Sequence, residues 1–326
     1  MRKHLALFMG ILLFTFCLTL PSGFAQEMYL EENRACSYLE KGQVDEAIRL
    51  LKRKLRRYPN NFDCHLFLGL AYYLQGDFEK SMKTLNKVEF ETERLEKAKG
   101  TMSAGKKMDD FSQEDAYLSQ SGGMVFTKGR RGVMKFALGM LYRKNKDFKN
   151  ASKRFSGALK YKYPETEARK QLLVVHCRLK GYKKAKKELD KIIKAGEISD
   201  ELCFLEGFVG SHLKDEAKAI ENFSQISEIF PEAKRNLATV YYNQGKYDKA
   251  LEIWEKILEV NSQDRGALLS AARAYFHLGQ KEKGQEYFDK MGLTMKVEKY
   301  SPKKMPLILV DLYPDVQFDF QCQASD

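Results

Sequence analysis

The 326-residue sequence is long enough for one large or two ordinary domains, and 44% hydrophobic residues against 31% charged residues exclude a chain that is disordered throughout. Only seven prolines occur, and runs that alternate apolar and polar residues are scarce before residue 300. Both observations favour a mostly helical fold over a β protein. The formal net charge of +12 makes an anionic surface one class of partner to consider.

The beginning of the chain, residues 1–25, has the pattern of a secretory signal peptide. Arg2 and Lys3 precede an uncharged apolar run at 5–20, and small residues follow up to Ala25. This order predicts cleavage after Ala25 and export, to the periplasm or as a secreted protein. An uncleaved N-terminal membrane anchor is the alternative, although the apolar run is short for a spanning helix.

The rest of the chain repeats one pattern with a shift of 34 residues. Clear copies are "FLGLAYYLQGDFEKSMKTL", "ALGMLYRKNKDFKNASKRF", "NLATVYYNQGKYDKALEIW" and "LSAARAYFHLGQKEKGQEYF". Each has Leu or Ala, then Gly or Ala, a Tyr, a turn with Gly or Lys, and later a small residue and a large ring or Leu; in the first three an aromatic residue follows the turn. Because apolar residues recur at intervals of three and four in each half, each copy predicts two antiparallel amphipathic helices.

These copies resemble the tetratricopeptide repeat in period and in residue pattern. Seven units begin near residues 28, 62, 132, 166, 200, 231 and 265. The resemblance implies an all-α solenoid, a right-handed superhelix of antiparallel helix pairs. The predicted organisation is a signal peptide at 1–25, units one and two at 28–99, a polar insertion or degenerate repeat at 100–131, units three to seven at 132–298, and an extended non-repeat tail at 299–326.

The sequence offers little for catalysis. Gly100, Gly105 and Lys106 have the spacing of a phosphate-binding loop, but Lys107 stands where a magnesium-binding Ser or Thr belongs. The histidines of the mature chain, His65, His176, His212 and His277, lie in different predicted helices. We therefore predict a non-catalytic protein with no cofactor and no metal. An enzyme that uses the insertion at 100–131 is the weaker alternative.

Two basic runs, 52–57 and 183–194, interleave charge with apolar residues at helical spacing. A solvated outer face is the simpler interpretation. A module that binds anionic envelope lipid or polysaccharide is the functional alternative. Export argues against a nucleic-acid partner.

The first helices of the units are expected to line a concave groove for a protein or peptide partner. By helical spacing the candidate groove residues are Leu66, Leu70, Tyr73, Phe136, Met140, Arg143, Phe204, Phe208, Arg235, Tyr242, Arg273 and Phe276. Packing of several of them against neighbouring helices is the alternative. Some repeats of this family grip acidic C-terminal peptides with a basic, asparagine-rich clamp, but this candidate groove is more aromatic, so that ligand is not expected. A scaffold or assembly factor in a bacterial envelope complex is the predicted function, by analogy with exported family members.

Cysteines and the tail complete the predictions. Cys36 with Cys64, and Cys177 with Cys203, lie on first helices of adjacent units and are possible disulfides, and buried free thiols are the more common alternative. Beyond the last unit, residues 305–322 abandon helical spacing and alternate apolar with polar residues near their end. We expect this segment to lie along the solenoid and to cover its C-terminal end or part of the groove. Pairing with the sheet edge of a partner is the alternative.

Overall fold

The computed structural model describes residues 34–103, 128–161, 163–292 and 304–314. In these ranges fourteen helices follow one another: α1 (34–40), α2 (Val44–Arg57), α3 (Phe62–Gln75), α4 (Phe78–Ser103), α5 (Lys128–Lys144), α6 (Phe148–Lys160), α7 (Glu165–Arg178), α8 (Tyr182–Lys194), α9 (Asp200–His212), α10 (Glu216–Ile226), α11 (Pro231–Asn243), α12 (Tyr247–Val260), α13 (Arg265–His277) and α14 (Lys281–Lys290). Taken two by two, they form seven helix pairs. The all-α prediction is confirmed.

The turn inside each pair contains one residue with positive φ. These residues are Gly42, Gly76, Lys146, Lys180, Lys214, Gly245 and Gly279. Glycine adopts this left-handed conformation freely, whereas it costs a residue with a Cβ about 1 kcal/mol. The spacing of the turns follows the sequence repeat, so the units in which lysine replaces glycine keep the same turn.

Glycines also let the two helices of a pair approach each other. A Cβ on Gly69 would lie 2.5 Å from a side-chain atom of Leu85, and one on Gly139 would lie 2.6 Å from the ring of Phe155. Aromatic rings fill the remaining space between first and second helices, as in the contact of Phe136 with Phe155 at 5.4 Å between ring centroids. The repeated small and large residues of the sequence are therefore packing positions.

The helices divide into two compact units. Unit 1 contains α1 to α6, and unit 2 contains α7 to α14 together with residues 304–314. Each unit has its own buried apolar side chains; in unit 2 they include Leu173, Leu205 and Phe223, all fully buried. Across the described ranges, none of the helices has the length and apolar character needed to cross a bilayer.

The ends of the predicted insertion are helical. Helix α4 continues to Ser103 and α5 begins at Lys128, so both helices extend into the predicted segment 100–131. Its middle, 104–127, lies outside the described residues, as do the predicted signal peptide and the start of the first unit.

Candidate functional site

Residues 304–314 lie in a non-helical segment against the first helices of the pairs in unit 2. We call residues 304–314 the tail segment, and the side chains of α7, α9, α11 and α13 that contact it the first-helix face of unit 2. The prediction that the tail lies along the repeats is confirmed for these residues. The alternating stretch beyond Val316 lies outside the described residues.

Two asparagines of α11 bind the backbone of the tail segment. Asn236 Nδ2 donates to the carbonyl of Ile308 at 2.9 Å, and the Ile308 N–H donates to Asn236 Oδ1 at 2.8 Å. Asn243 makes the same pair of hydrogen bonds with Met305, at 2.9 and 2.7 Å. Each amide thus satisfies both the donor and the acceptor of one peptide residue.

The spacing of the two asparagines matches that of an extended chain. Seven residues separate Asn236 from Asn243, about 10.5 Å along an α-helix. Three residues separate Met305 from Ile308, about 10 Å in an extended chain. The tail runs antiparallel to α11, since its earlier residue meets the later asparagine. Contacts that recur every three residues have the repeat of a polyproline II helix.

The far end of the tail segment reaches α7. Gln171 Nε2 donates to the carbonyl of Tyr313 at 3.2 Å, and Lys170 Nζ lies 5.7 Å from the centre of the Tyr313 ring. Burial raises the pKa of the Tyr313 hydroxyl well above its usual value. Arg178 Nη2 lies 4.0 Å from an oxygen of Asp311, a wide ion pair to a largely exposed carboxylate.

Two apolar side chains anchor the tail segment. Met305 is 7% exposed and packs with Tyr242 and Trp254, while Leu312 is 6% exposed and packs with the larger core of unit 2. Between the anchors Ile308 is 42% exposed, although its backbone is bound. The face therefore binds the backbone of the segment at Met305, Ile308 and Tyr313, and it buries one apolar side chain near each end.

The predicted groove residues occupy two kinds of position. Eight are buried: Leu66, Leu70, Phe136, Met140, Arg143, Phe204, Phe208 and Tyr242. Phe204, for example, contacts Phe223 at 5.7 Å and Phe230 at 5.2 Å between ring centroids. Burial between helices is the alternative that the sequence left open, and it applies to these eight. Whether any of them contacts a partner stays a prediction.

The other four predicted groove residues are partly exposed. Arg235 is held by Asp264, with its two nitrogens 3.1 and 2.5 Å from the carboxylate, and Arg273 Nη1 contacts Met305 Sδ at 3.7 Å. Tyr73 and Phe276 pack on rings of their own second helices, with centroids 5.6 Å from Phe78 and 5.9 Å from Phe288 respectively.

The amides that bind the tail segment were missed in the sequence. Gln171 and Asn236 are both fully buried, and each is the sixth residue of its 34-residue repeat. Each amide directly precedes a mostly apolar run, "LLVV" or "LATV". This position could have indicated a buried amide, and a buried amide requires a hydrogen-bond partner. In unit 2 these amides hold the backbone of the chain's own tail segment.

The predicted disulfides are absent from the structure. Neither Cys36 with Cys64 nor Cys177 with Cys203 is joined by a disulfide. Cys203 Sγ instead points to its own second helix, 3.3 Å from the carbonyl and 3.2 Å from Oδ1 of Asn222. Burial raises the pKa of the Cys177 thiol to about 12, which makes it unreactive.

The histidines and basic runs have local structural contacts. His212 Nδ1 lies 2.9 Å from the Phe208 carbonyl and its ring stacks on Tyr182, while the His277 ring stacks on Tyr247. Within the described ranges no group of three or more acidic, His or Cys side chains is arranged to hold a metal ion. In the run 183–194, Ala185, Leu189 and Ile192 are buried, Ile193 is exposed, and the lysines are exposed or partly so.

Comparison with protein families gives two matches. The tetratricopeptide repeat model matches residues 38–104, and the model for intraflagellar transport protein 56 matches residues 135–296. A TPR repeat-containing protein, MJ1428 of Methanocaldococcus jannaschii, is 24% identical over 284 residues, which are 79% of this chain and 48% of that protein. The photosystem I assembly protein Ycf3 of Prochlorococcus marinus is 27% identical over 111 residues, 30% of this chain and 64% of that protein. The chain thus spans less than two thirds of these relatives.

Solved structures with similar folds include MamA, with a TM-score of 0.44, 23% identity and coverage of 55% of this chain and 100% of that one. A tetratricopeptide repeat protein of Parabacteroides merdae has a TM-score of 0.49 and 17% identity, and covers 83% of this chain and 96% of its own. The repeated helix pairs, the family model at 38–104 and the archaeal relative agree with one another. The chain is therefore similar to tetratricopeptide-repeat proteins, both in its helix pairs and in the family model that matches residues 38–104.

Proposed function

We propose that this protein is a non-catalytic assembly factor in a bacterial cell envelope, and that a partner protein binds the first-helix face of unit 2 as an extended segment. The observation that carries the proposal is the pair of amides in α11 that hold a peptide backbone. Asn236 and Asn243 contact only the backbone of their two residues, at four distances between 2.7 and 2.9 Å. This geometry can accept other extended segments.

Buried amides give such a face its affinity for backbone. Asn236 is fully buried, so its amide has no access to water when the face is filled. An unsatisfied buried amide costs about 1–3 kcal/mol. An occupant that covers Asn236 must therefore satisfy its amide, so the face selects a segment that offers a peptide donor and acceptor at this position.

Cross-linking from defined positions tests the face directly. A photoreactive amino acid replaces Arg178, which lies at the first-helix face of unit 2, or Lys256, which is 54% exposed on the second helix α12. We expect covalent adducts with a partner protein in the native host from position 178, and their loss when Asn236→Leu is added. Equal adducts from position 256, or adducts that Asn236→Leu leaves unchanged, would contradict the proposal.

The envelope location rests on the N-terminal pattern of charged, apolar and small residues. Mass spectrometry of the N-terminus is expected to find Gln26 as the first residue of protein recovered from the envelope fraction. Protein that retains Met1 and fractionates with the cytosol would contradict export, but it would leave the binding face untouched.

Binding to an anionic surface is the alternative function. The exposed lysines of α8 are compatible with it, although Lys186 is paired with Asp190 at 2.7 Å. Salt separates the two functions, because attraction between exposed charges is screened above about 0.1 M. A partner held by amides and apolar anchors stays bound at 0.5 M salt (roughly a 4 Å screening length), whereas an anionic lipid or polysaccharide is released.

A further inference from the structure

The proposed partner site is already filled by the protein's own chain. Met305 and Ile308 take up both asparagines of α11, and the Tyr313 carbonyl takes up Gln171. A partner segment that needs the same amides cannot bind while the tail segment is there. The tail segment is thus a competitor for the site.

The tail segment is bound as a ligand is bound. Met305 and Leu312 are buried and four other residues are partly buried, whereas Lys304, Pro306, Ile308, Asp311 and Pro314 are exposed. Side-chain amides of the face hydrogen-bond to its backbone, and Arg273 contacts the Met305 sulfur. Such a segment can leave without opening a helix pair, because no helix of unit 2 depends on its backbone for hydrogen bonds of its own.

The tether sets the strength of this competition. Eleven residues, 293–303, separate Gly292 in the last helix pair from Lys304. A short tether holds a segment near its site at an effective concentration of about 1 mM. A tail that binds on its own with a dissociation constant of about 100 μM would therefore weaken a competing partner about tenfold.

We propose that the tail segment is an intramolecular competitor that regulates access to the first-helix face of unit 2. The proposal rests on the proposed function, and it specifies the partner by chemistry. The displacing partner is an extended protein segment with a large apolar residue, a proline directly after it, and a second large apolar residue seven positions after the first. Those features are Met305, Pro306 and Leu312 in the tail.

A labelled peptide tests the competition on the full chain. The probe is a fluorescent synthetic peptide with the sequence of residues 303–316, and fluorescence anisotropy measures its affinity. The wild-type chain is compared with Met305→Glu/Leu312→Glu, which removes both anchors and releases the tail. We expect the released chain to bind the probe about tenfold more tightly than wild type.

Two further variants keep the result specific. Ile308→Glu adds one negative charge at an exposed side chain of the tail segment and keeps the hydrogen bonds of its backbone. The tail therefore stays bound, and we expect this variant to bind the probe with the affinity of wild type. Asn236→Leu added to the released chain is expected to abolish tight binding. Equal affinity of wild-type and released chains would overturn the competitor, while the cross-links from position 178 would still support the proposed function.

Wild-type protein provides a measurement that depends on no variant. Excess unlabelled probe peptide is added to the full chain, and hydrogen exchange is followed at the amides of Met305 and Ile308. Displacement is expected to speed exchange at both amides, whereas a peptide of the same composition in scrambled order leaves it unchanged. If the probe does not alter exchange at these amides, the tail segment is a fixed part of the fold and the proposal is overturned. If the probe displaces the tail segment but position 178 gives no cross-links to a partner, the result counts against the proposed function and not against the competition.

Discussion

The first helices of unit 1 and unit 2 carry different side chains at the same positions of the repeat. Among the described residues, the sixth residue of a repeat is Phe67 or Ala137 in unit 1, both buried and apolar, whereas the four repeats of unit 2 have Gln171, Leu205, Asn236 and Ser270 there. The thirteenth residue is Asn243 in one repeat of unit 2, whereas Lys144 in unit 1 places its Nζ 3.7 Å from the centre of the Phe78 ring. In the described part of the chain, the amides at these two positions are Gln171, Asn236 and Asn243, all in unit 2.

This difference separates what folds the repeat from what gives it a ligand. Both units share the glycine approach and the ring contacts between helices, as Gly139 with Phe155 and Gly207 with Phe223 illustrate. Those contacts make helix pairs regardless of function. The amides of Gln171, Asn236 and Asn243 at the sixth and thirteenth positions are what lets first helices of unit 2 bind a peptide backbone.

Unit 1 depends instead on charges inside it. Glu89, 6% exposed, accepts from Lys135 Nζ at 2.5 Å and from Arg154 Nη1 at 2.6 Å. Asp63 is buried as well and pairs with Arg130. Burying such charges is costly unless each keeps its partner.

The largest predicted effect is on this charge cluster. Glu89→Gln keeps the shape of the side chain but removes the buried carboxylate that pairs with Lys135 and Arg154, so we expect the free energy of unfolding to fall by about 3 kcal/mol. Glu93→Gln is the matched control, because Glu93 is 53% exposed and also contacts Lys135, at 3.1 Å. We expect the control to cost less than about 1 kcal/mol in a urea titration. Equal losses would show that the cluster behaves as a surface network.

The next effect is on the amide clamp of unit 2. Asn236→Leu removes two hydrogen bonds to Ile308, at about 1 kcal/mol each, so a loss of about 2 kcal/mol is expected. Ile308→Ala keeps both bonds and trims an exposed side chain, and we expect it to change stability by less than about 0.5 kcal/mol. Thermal unfolding of both variants checks the contrast. A larger loss for Ile308→Ala would mean that the face binds side chains rather than backbone.

The smallest effect is a dependence on pH at the α11 and α13 contact. Hydrogen bonding to Arg235 holds the pKa of the Asp264 carboxyl below its usual value. A depressed carboxyl pKa stabilises the folded state above the unfolded pKa, about 3.9, and this contribution is lost as pH falls through the folded pKa. Arg235→Gln is therefore expected to cost about 1 kcal/mol at pH 7 and less at pH 3.

The exposed pair of Arg49 with Glu46 supplies the control for that titration. Arg49 is 74% exposed, so Arg49→Gln is expected to leave stability unchanged at both pH values. A cost for Arg235→Gln that is the same at pH 7 and pH 3 would show that its role is packing and not charge.

The helix pairs could be predicted from the sequence because they rest on periodic residues. Tyr142 and Phe155 recur in register with their counterparts in other units, and even the lysine turns at Lys146 and Lys180 follow the spacing. Because the residue pattern occurs in several repeats, a departure in one repeat does not hide it, and the fold could be predicted from the repeats together.

The binding face could not be predicted in the same way, because it depends on a few residues that do not repeat. At the thirteenth position, none of the other six repeats has an amide residue that would correspond to Asn243. Helical spacing indicates which residues share a face, but Phe136 and Phe204 lie between helices and not on an open surface. The pairing of Asn236 with Ile308 joins residues 72 positions apart, and no local pattern encodes it.

The central claim is that asparagines on α11 bind the backbone of an extended segment. Residue-resolved hydrogen exchange of the full wild-type chain tests it most directly, by comparing the amides of Met305 and Ile308 with those of Leu307 and Leu309. Bonds from Met305 and Ile308 to Asn243 and Asn236 predict protection of these two amides beyond that of their neighbours. Equal protection at all four amides would contradict the claim.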